Sequence, residues 1–297
     1  MSNKPRKMTL EKKHNLTGWA FLAPATFLIA VFSFWPMIKA LVLSFQTGKG
    51  TNMQMAGFTN YIRMFQDDVF IQSIKNTFFY FILQVPIMLV VALVLACILN
   101  KKDLRFKGFF RTMIFLPCTT SLVAYSIIFR SLFANDGLVN YVLVNIGILD
   151  KPYNFLTQPF AAKVVIILGL LWRWTGYNMV FFLSGLQNIE SSVYEAAKID
   201  GASAIQTFFK ITVPVLKPTI LLTAIMSTNG TLQLFDESIN LTDGGPANAS
   251  ISMSHYIYNL CFKYVPNFGY AAALSFFILL LVAVLAFIQM RVGDKRD

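Results

Sequence analysis

Charge is scarce in this 297-residue chain: Asp, Glu, Lys and Arg make up 13% of it, against 56% hydrophobic residues. Length alone would suggest about two soluble domains, but so few charges cannot clothe a water-facing surface, where about a quarter of residues are normally charged. Cysteine is nearly absent. Cys97, Cys118 and Cys261 are odd in number and have no paired spacing, which excludes a disulfide framework and a zinc site. The two histidines, His14 and His255, stand far apart and build no metal cluster. The phosphate-binding pattern GxxxxGK[ST] is missing, and Gly48-Lys49-Gly50 reads only as a loop, so any ATP would be bound by another chain. Acidic residues number 14 against 25 basic ones. That excess would suit nucleic acid if the cations lined a groove, but they lie between apolar runs. What the chain has in quantity is apolar and aromatic sequence, with 29 Phe and a mean hydropathy of +0.59, which excludes disorder and coiled coil.

A helix needs about 20 mostly apolar residues to cross a hydrocarbon core, where every backbone polar group must find a partner within the protein. Six stretches meet this requirement, at about 19–45, 76–99, 111–133, 162–186, 218–239 and 267–290. They predict an all-α, polytopic membrane protein. The first stretch holds Lys39 and follows Lys4, Arg6, Lys7, Lys12 and Lys13, yet it is too long for a signal peptide and reads as a retained helix. Arg130 is expected to snorkel outward from the third stretch.

Basic residues are retained on the cytoplasmic side of short loops. Those five, together with Lys101, Lys102, Arg105, Lys107 and Arg111, then Lys198, Lys210 and Lys217, then Arg291, Lys295 and Arg296, are most of the 25. They put both tails, 1–18 and 291–297, in the cytoplasm, along with the connection 188–217. This pattern explains the net charge without nucleic acid.

The connection 188–217 is long for a helix hairpin, where 2 to 8 residues usually suffice. Ser192-Val193-Tyr194-Glu195 and Ser203-Ala204-Ile205-Gln206 both have capping-box form, and Gly201 between them suits a helix end that needs positive φ. Ile205, Phe208, Phe209 and Val213 make an apolar stripe. Pro214 and Pro218 close the unit. Glu190, Glu195 and Asp200 balance the three lysines, unlike the basic face of a headgroup-bound helix; a protein-docking loop and a membrane-surface hairpin both remain open on these grounds.

Glu195-Ala196-Ala197-Lys198-Ile199-Asp200-Gly201-Ala202, followed by Gln206, Phe208, Ile211 and Pro214, closely resembles the EAA loop of permease subunits in ABC importers. The one departure is Val213 where a leucine commonly precedes the proline. Leu241-Thr242-Asp243-Gly244-Gly245-Pro246 and Asn267-Phe268-Gly269-Tyr270-Ala271-Ala272-Ala273 are similar to the carbohydrate-import branch, of the maltose and multiple-sugar type. The resemblance implies a type I importer permease fold in the bacterial cytoplasmic membrane. It implies a second permease subunit, giving a heterodimer, two ATPase subunits that bind ATP and Mg, an extracytoplasmic sugar-binding protein, and no cofactor or catalytic residue in this chain. By the same resemblance Glu195 contacts the ATPase, Ala196 and Ala197 allow close approach, Gly201 sets the bend, and Asp200, Ala202, Phe208 and Pro214 complete the coupling surface.

Sugar sites combine aromatic faces with polar groups that replace water at hydroxyls. Trp174, Tyr177 and Asn178 share one helical face of the fourth span, and Tyr177 occupies the position where maltose-type relatives place a sugar-contacting tyrosine. Packing or interfacial anchoring is the competing role for these aromatics. In the polar fifth span Ser227, Gly230, Thr231 and Leu234 form one face, where those relatives line their sugar site, and Asn229, Gln233 and Asp236 form another. Gly230 is a candidate for a bend. Arg173, near the middle of its span, needs a partner or water, since a charge there costs roughly 3 kcal/mol; Asp236 or Glu237 is the expected partner, in a fixed ion pair or a gate, with a direct bond to sugar the third option. The competing function is an ion-coupled secondary transporter, for which only Asp236 and Glu237 resemble an ion path.

Overall fold

The computed structural model describes residues 9–49, 52–101 and 103–293. Lys4, Arg6, Lys7, Gly50, Lys102, Lys295 and Arg296, used above for charge and loop arguments, lie outside them. A continuous helical run, Leu10–Ser44, comprises α1 (Leu10–Ile29), a π turn (Ala30–Phe34) and α2 (Trp35–Ser44). It starts inside the segment assigned above to the tail, and none of its most apolar window is buried. Trp19, Phe21 and Phe27 all point away from the rest of the chain.

A short antiparallel hairpin follows, β1 (Gln46–Lys49) with β2 (Asn52–Met55), Gln46 opposite Met55. It replaces the plain loop expected at Gly48-Lys49. Asn60, in α3 (Thr59–Met64), donates to the carbonyls of Ser44 and Gln46 and fixes the hairpin to the end of α2.

The second span is α4 (Asp68–Asn100). The expected third span is two helices, α5 (Lys107–Thr119) and α6 (Leu122–Leu132), meeting at 99°. The break has a local cause: Pro117 supplies no N–H, and the hydroxyls of Thr119 and Thr120 bond back to the carbonyls of Leu116 and Pro117. After α7 (Leu138–Asn145) comes α8 (Pro159–Gln187), unbroken, with proline at its first position, where a missing N–H costs nothing.

A compact loop then holds α9 (Ser191–Ile199), α10 (Ala204–Thr207), a π turn and α11 (Val213–Val215), and its last part turns through 70° into α12 (Lys217–Leu232). The fifth helix therefore ends well short of residue 239, and it runs unbroken through Gly230, so the bend anticipated there is absent. Beyond an irregular stretch and a π turn (Ser238–Thr242) lie α13 (Met253–Tyr258) and α14 (Phe268–Gly293). Four helices are long and apolar enough to cross a membrane, or up to six if each bent pair counts as one span.

The closest helix partnership joins α4 to α8. Toward the α9 loop, Ala92 and Ala96 let Met179, Phe182 and Leu183 approach closely, and Leu99, Leu186 and Leu216 complete that cluster. A middle cluster gathers Tyr80, Tyr125, Phe129, Ile166, Leu170 and Leu234. The third joins Phe70, Leu232, Met253, Tyr270 and Leu274. At this third end Asp67 caps α4 and also accepts from the hydroxyls of Tyr256 (2.6 Å) and Tyr270 (2.7 Å). Burial pushes its pKa up, but the two hydroxyls and the N–H groups of Phe70 and Val69 outweigh this and hold the carboxyl below its usual value.

His255 is fully buried in α13, its Nδ1 3.0 Å from Ser238 Oγ and its Nε2 3.8 Å from Asp243. Burial lowers its pKa from 6.5 to about 4; Asp243 pulls it back up and Lys263 lowers it further. A folded-state pKa below the unfolded one means that the unfolded chain binds more protons, so this contribution to stability is complete above pH 6.5 and is lost as pH falls from 6.5 toward 4. Thermal unfolding in detergent should show the melting temperature of the wild type falling across that window more steeply than that of His255→Gln; equal slopes would contradict the assignment.

Candidate functional site

The break after α12 and the break between α5 and α6 face a common space. A cavity of about 400 Å³ lies between α4, α8, α12 and residues 233–237, with Leu122 at the start of α6 in its wall. This size falls within the roughly 300–1,000 Å³ usual for small-molecule sites. Of the residues singled out in the sequence, Trp174, Tyr177, Asn178, Ser227, Gly230, Thr231, Gln233, Leu234, Asp236 and Glu237 all line it. Residues of both faces of the fifth span reach the cavity because the helix ends at Leu232 and the chain from Gln233 on is irregular.

Trp174 and Tyr177 meet edge to face, with ring centroids 5.8 Å apart, and Tyr177 meets Phe181 in the same way. Asn178 donates to the carbonyl of Trp174 at 3.0 Å and accepts from Ser227 Oγ at 3.3 Å. Thr231 donates to Gln84 at 2.8 Å. The wall is thus aromatic along α8 and amide- and hydroxyl-bearing across α4 and α12. Gln84, Met88, Leu122, Leu170, Met226 and Phe235 also contribute to it and were not anticipated. Gln84 alone carried a usable signal, as a polar side chain in the middle of an uncharged span.

Asn229 does not line the cavity; its side-chain oxygen accepts from the amide of Gln233. Arg173 also departs from expectation. Among the described residues no ion pair joins Arg173 to Asp236 or Glu237. Its guanidinium donates instead to the carbonyl of Thr120 at 3.0 Å and lies 5.4 Å from the ring centroids of Tyr125 and Trp174. The physical reason is the broken third span: a bend of 99° leaves a carbonyl without its helical donor, and the buried cation is within reach of it. Arg130 is exposed.

The α9–α11 loop is a separate surface. Ser203 and Gln206 close a reciprocal capping box. The first expected box does not form, because Glu190 occupies the N-cap position and Ser192, already inside the helix, donates to the Glu190 carboxylate at 3.2 Å. Gly201 has φ +75°; its N–H bonds to Lys198 O, and the N–H of Ala202 to Ala197 O. This is a Schellman ending, which favours glycine at that position. Glu195, Ala196, Asp200 and Pro214 are exposed, whereas Ala197 is buried against the chain itself. The stripe on the second helix divides: Phe208 and Val213 pack into the core, while Ile205 and Phe209 are exposed, as is Ile199.

A membrane-spanning bundle with a small-molecule cavity between broken helices and a preformed loop at one end is the architecture of a transport permease. Residues 19–296 match the family described as binding-protein-dependent transport system inner membrane component, and the chain belongs to that family. It is similar to the lactose transport system permease protein LacF of Rhizobium radiobacter, 52% identical over 98% of both chains, and to the arabinooligosaccharides transport system permease protein AraP of Halalkalibacterium halodurans, 30% identical over 96% of this chain and 90% of that one. A crystal structure of a bacterial alginate ABC transporter, in complex with an alginate pentasaccharide-bound periplasmic protein, matches with a TM-score of 0.85 at 25% identity over 98% of both chains. The protein is thus the permease component of an ABC importer, with ATP hydrolysis assigned to a separate subunit. This sets aside the ion-coupled secondary transporter.

Gly176 shows how tightly the cavity wall is held. A Cβ there would sit 1.9 Å from the carbonyl oxygen of Ile114 in α5. Gly176→Ala should therefore force α5 from α8 at a cost of roughly 1–3 kcal/mol, whereas Gly230→Ala, with nothing within 4 Å, should not lower stability. Melting temperatures of the two variants in detergent decide this, and a Gly176→Ala protein as stable as the wild type would refute it.

Proposed function

We propose that this chain forms half of the translocation path for a sugar, most simply an oligosaccharide, in the bacterial cytoplasmic membrane, and that the loop 188–217 transmits ATP-driven motion to it. The observation that carries the reading is the cavity itself. Trp174 and Tyr177 offer ring edges and faces to the C–H side of a sugar, while Gln84, Asn178, Ser227 and Thr231 offer exchangeable hydrogen bonds to its hydroxyls. The sugars in the names of the relatives, lactose and arabinooligosaccharides, agree with this chemistry.

The partners follow from what one chain leaves incomplete. A second permease subunit supplies the other wall, in a heterodimer whose tails are cytoplasmic. Two ATPase subunits bind ATP and Mg and receive the loop through the exposed Glu195, Ala196, Asp200, Ile199, Ile205 and Phe209. An extracytoplasmic binding protein delivers the sugar. Gly201 and Ala202 hold the two loop helices at a fixed angle, Phe208 joins the second of them to the core, and Pro214 ends it. Nucleotide binding draws two such loops together and shifts the population from inward-open to outward-open. Arg173 positions the broken third span and does not bridge to Asp236 or Glu237 in this state.

The loop is tested in the reconstituted importer. Proline cannot adopt φ +75°, so Gly201→Pro should break the Schellman ending and abolish uptake while ATP hydrolysis continues; Glu195→Lys should do the same by inverting a contact charge. Undiminished uptake in both assembled variants would remove the coupling role. Tyr177→Ala should lower sugar-stimulated ATP hydrolysis about tenfold or more at limiting sugar, the loss expected of one aromatic contact worth about 1.4 kcal/mol, without altering assembly. Equal stimulation would take Tyr177 out of the site.

A further inference from the structure

We infer that Asp236 makes this cavity selective for uncharged sugars and closes it to sugars that carry a carboxylate. The inference rests on the sugar reading above and deepens it. Asp236 and Glu237 both line the cavity, and among the described residues no Lys, Arg or His does. Asp236 is partly exposed, while Glu237 is 4% exposed. The nearby cation, Arg173, is not part of the cavity lining; its guanidinium donates to Thr120 O and lies over two rings, and among the described residues it forms no ion pair with Asp236.

An ionised carboxylate accepts hydrogen bonds and donates none. It can therefore receive sugar hydroxyls in charge-assisted bonds, but it repels a uronate. The facing surfaces of Met88, Leu170 and Met226 keep the local dielectric low, where like charges about 6 Å apart weaken binding of an anion on the order of tenfold to a hundredfold in low salt. The fold does not dictate the charge of its cargo, since an importer of the acidic polysaccharide alginate shares it at a TM-score of 0.84. The wall residues must do so.

The test uses the assembled importer in detergent, without nucleotide or binding protein, and measures affinities by saturation-transfer NMR. The probes are lactose and an arabinose disaccharide as neutral sugars and digalacturonate as the acidic one. The expected result is that a neutral probe binds at least tenfold more tightly than digalacturonate in low salt, and that Asp236→Asn reduces this ratio about tenfold. In the unmodified importer the ratio should also narrow as salt is raised from roughly 20 to 500 mM, because screening weakens the repulsion; this measurement does not depend on any variant folding. Digalacturonate binding as tightly as the neutral probes in low salt, or a ratio indifferent to both salt and Asp236→Asn, would overturn the inference and leave the sugar site standing. If none of the three probes binds, the sugar reading itself fails and the inference falls with it.

Discussion

A carbonyl or N–H group inside an apolar bundle has no water to turn to, and leaving one unpaired costs several kcal/mol. Continuous helices solve this internally, but this chain breaks its third and fifth spans and must solve it with side chains. Arg173 meets the carbonyl of Thr120 at the first break. Ser252 meets the carbonyl of Leu234 at the second. In the irregular chain beyond, Asn76 serves the carbonyls of Asn248 and Ile251, and Tyr80 that of Ser250. Nearly every buried polar side chain of the central helices that looks like a candidate for ligand contact is thus divided between two tasks, holding irregular backbone and lining the cavity. Arg173, Asn76 and Tyr80 have the first; Asn178, Ser227 and Thr231 the second.

The breaks are what create the cavity. Had α12 continued helically to residue 239, Gln233, Asp236 and Glu237 would project along a helix face, Asp236 opposite to Leu234. By unwinding at Gln233 the chain turns all of them toward α8. Irregular backbone is tolerated at membrane depth only where it is enclosed by protein or lines such a space, so the site and the distortion require each other.

This division explains what the sequence could reveal. Six apolar stretches and the spacing from Glu195 through Gly201 to Pro214 were legible because they depend on local properties, hydropathy and the handedness of a helix end. The helical face of Trp174, Tyr177 and Asn178 was legible for the same reason. The partner of Arg173 was not, because it is a backbone carbonyl freed by a bend some fifty residues earlier, and charge complementarity pointed to Asp236 and Glu237 instead. Ser192 looked like a cap by spacing, but the helix starts two residues earlier, which places Ser192 inside α9 and lets Glu190 take the position. Gln84 stands out in the second span as a polar residue, but the sequence does not say which way it faces; only contact with Thr231 does.

The arrangement also accounts for how a loop at one end of the molecule could govern a cavity in its middle. The two helices that each carry a large share of the cavity wall, α8 and α12, are the two that enter and leave the loop. α8 is unbroken from Pro159 to Gln187 and leads into α9 within a few residues. α12 begins at Lys217 immediately after α11, and Leu216 between them is buried against the α4–α8 cluster. At Gly185 a Cβ would lie 2.7 Å from the Leu216 side chain, so the two helices are in close contact where the loop joins them. A force applied to the loop therefore acts on both walls at once, through a tightly packed cluster that does not deform continuously. Displacement is expected where the backbone is already irregular, at the break near Thr120 and at Gln233, and Leu122, just past the first, and Gln233 itself both line the cavity.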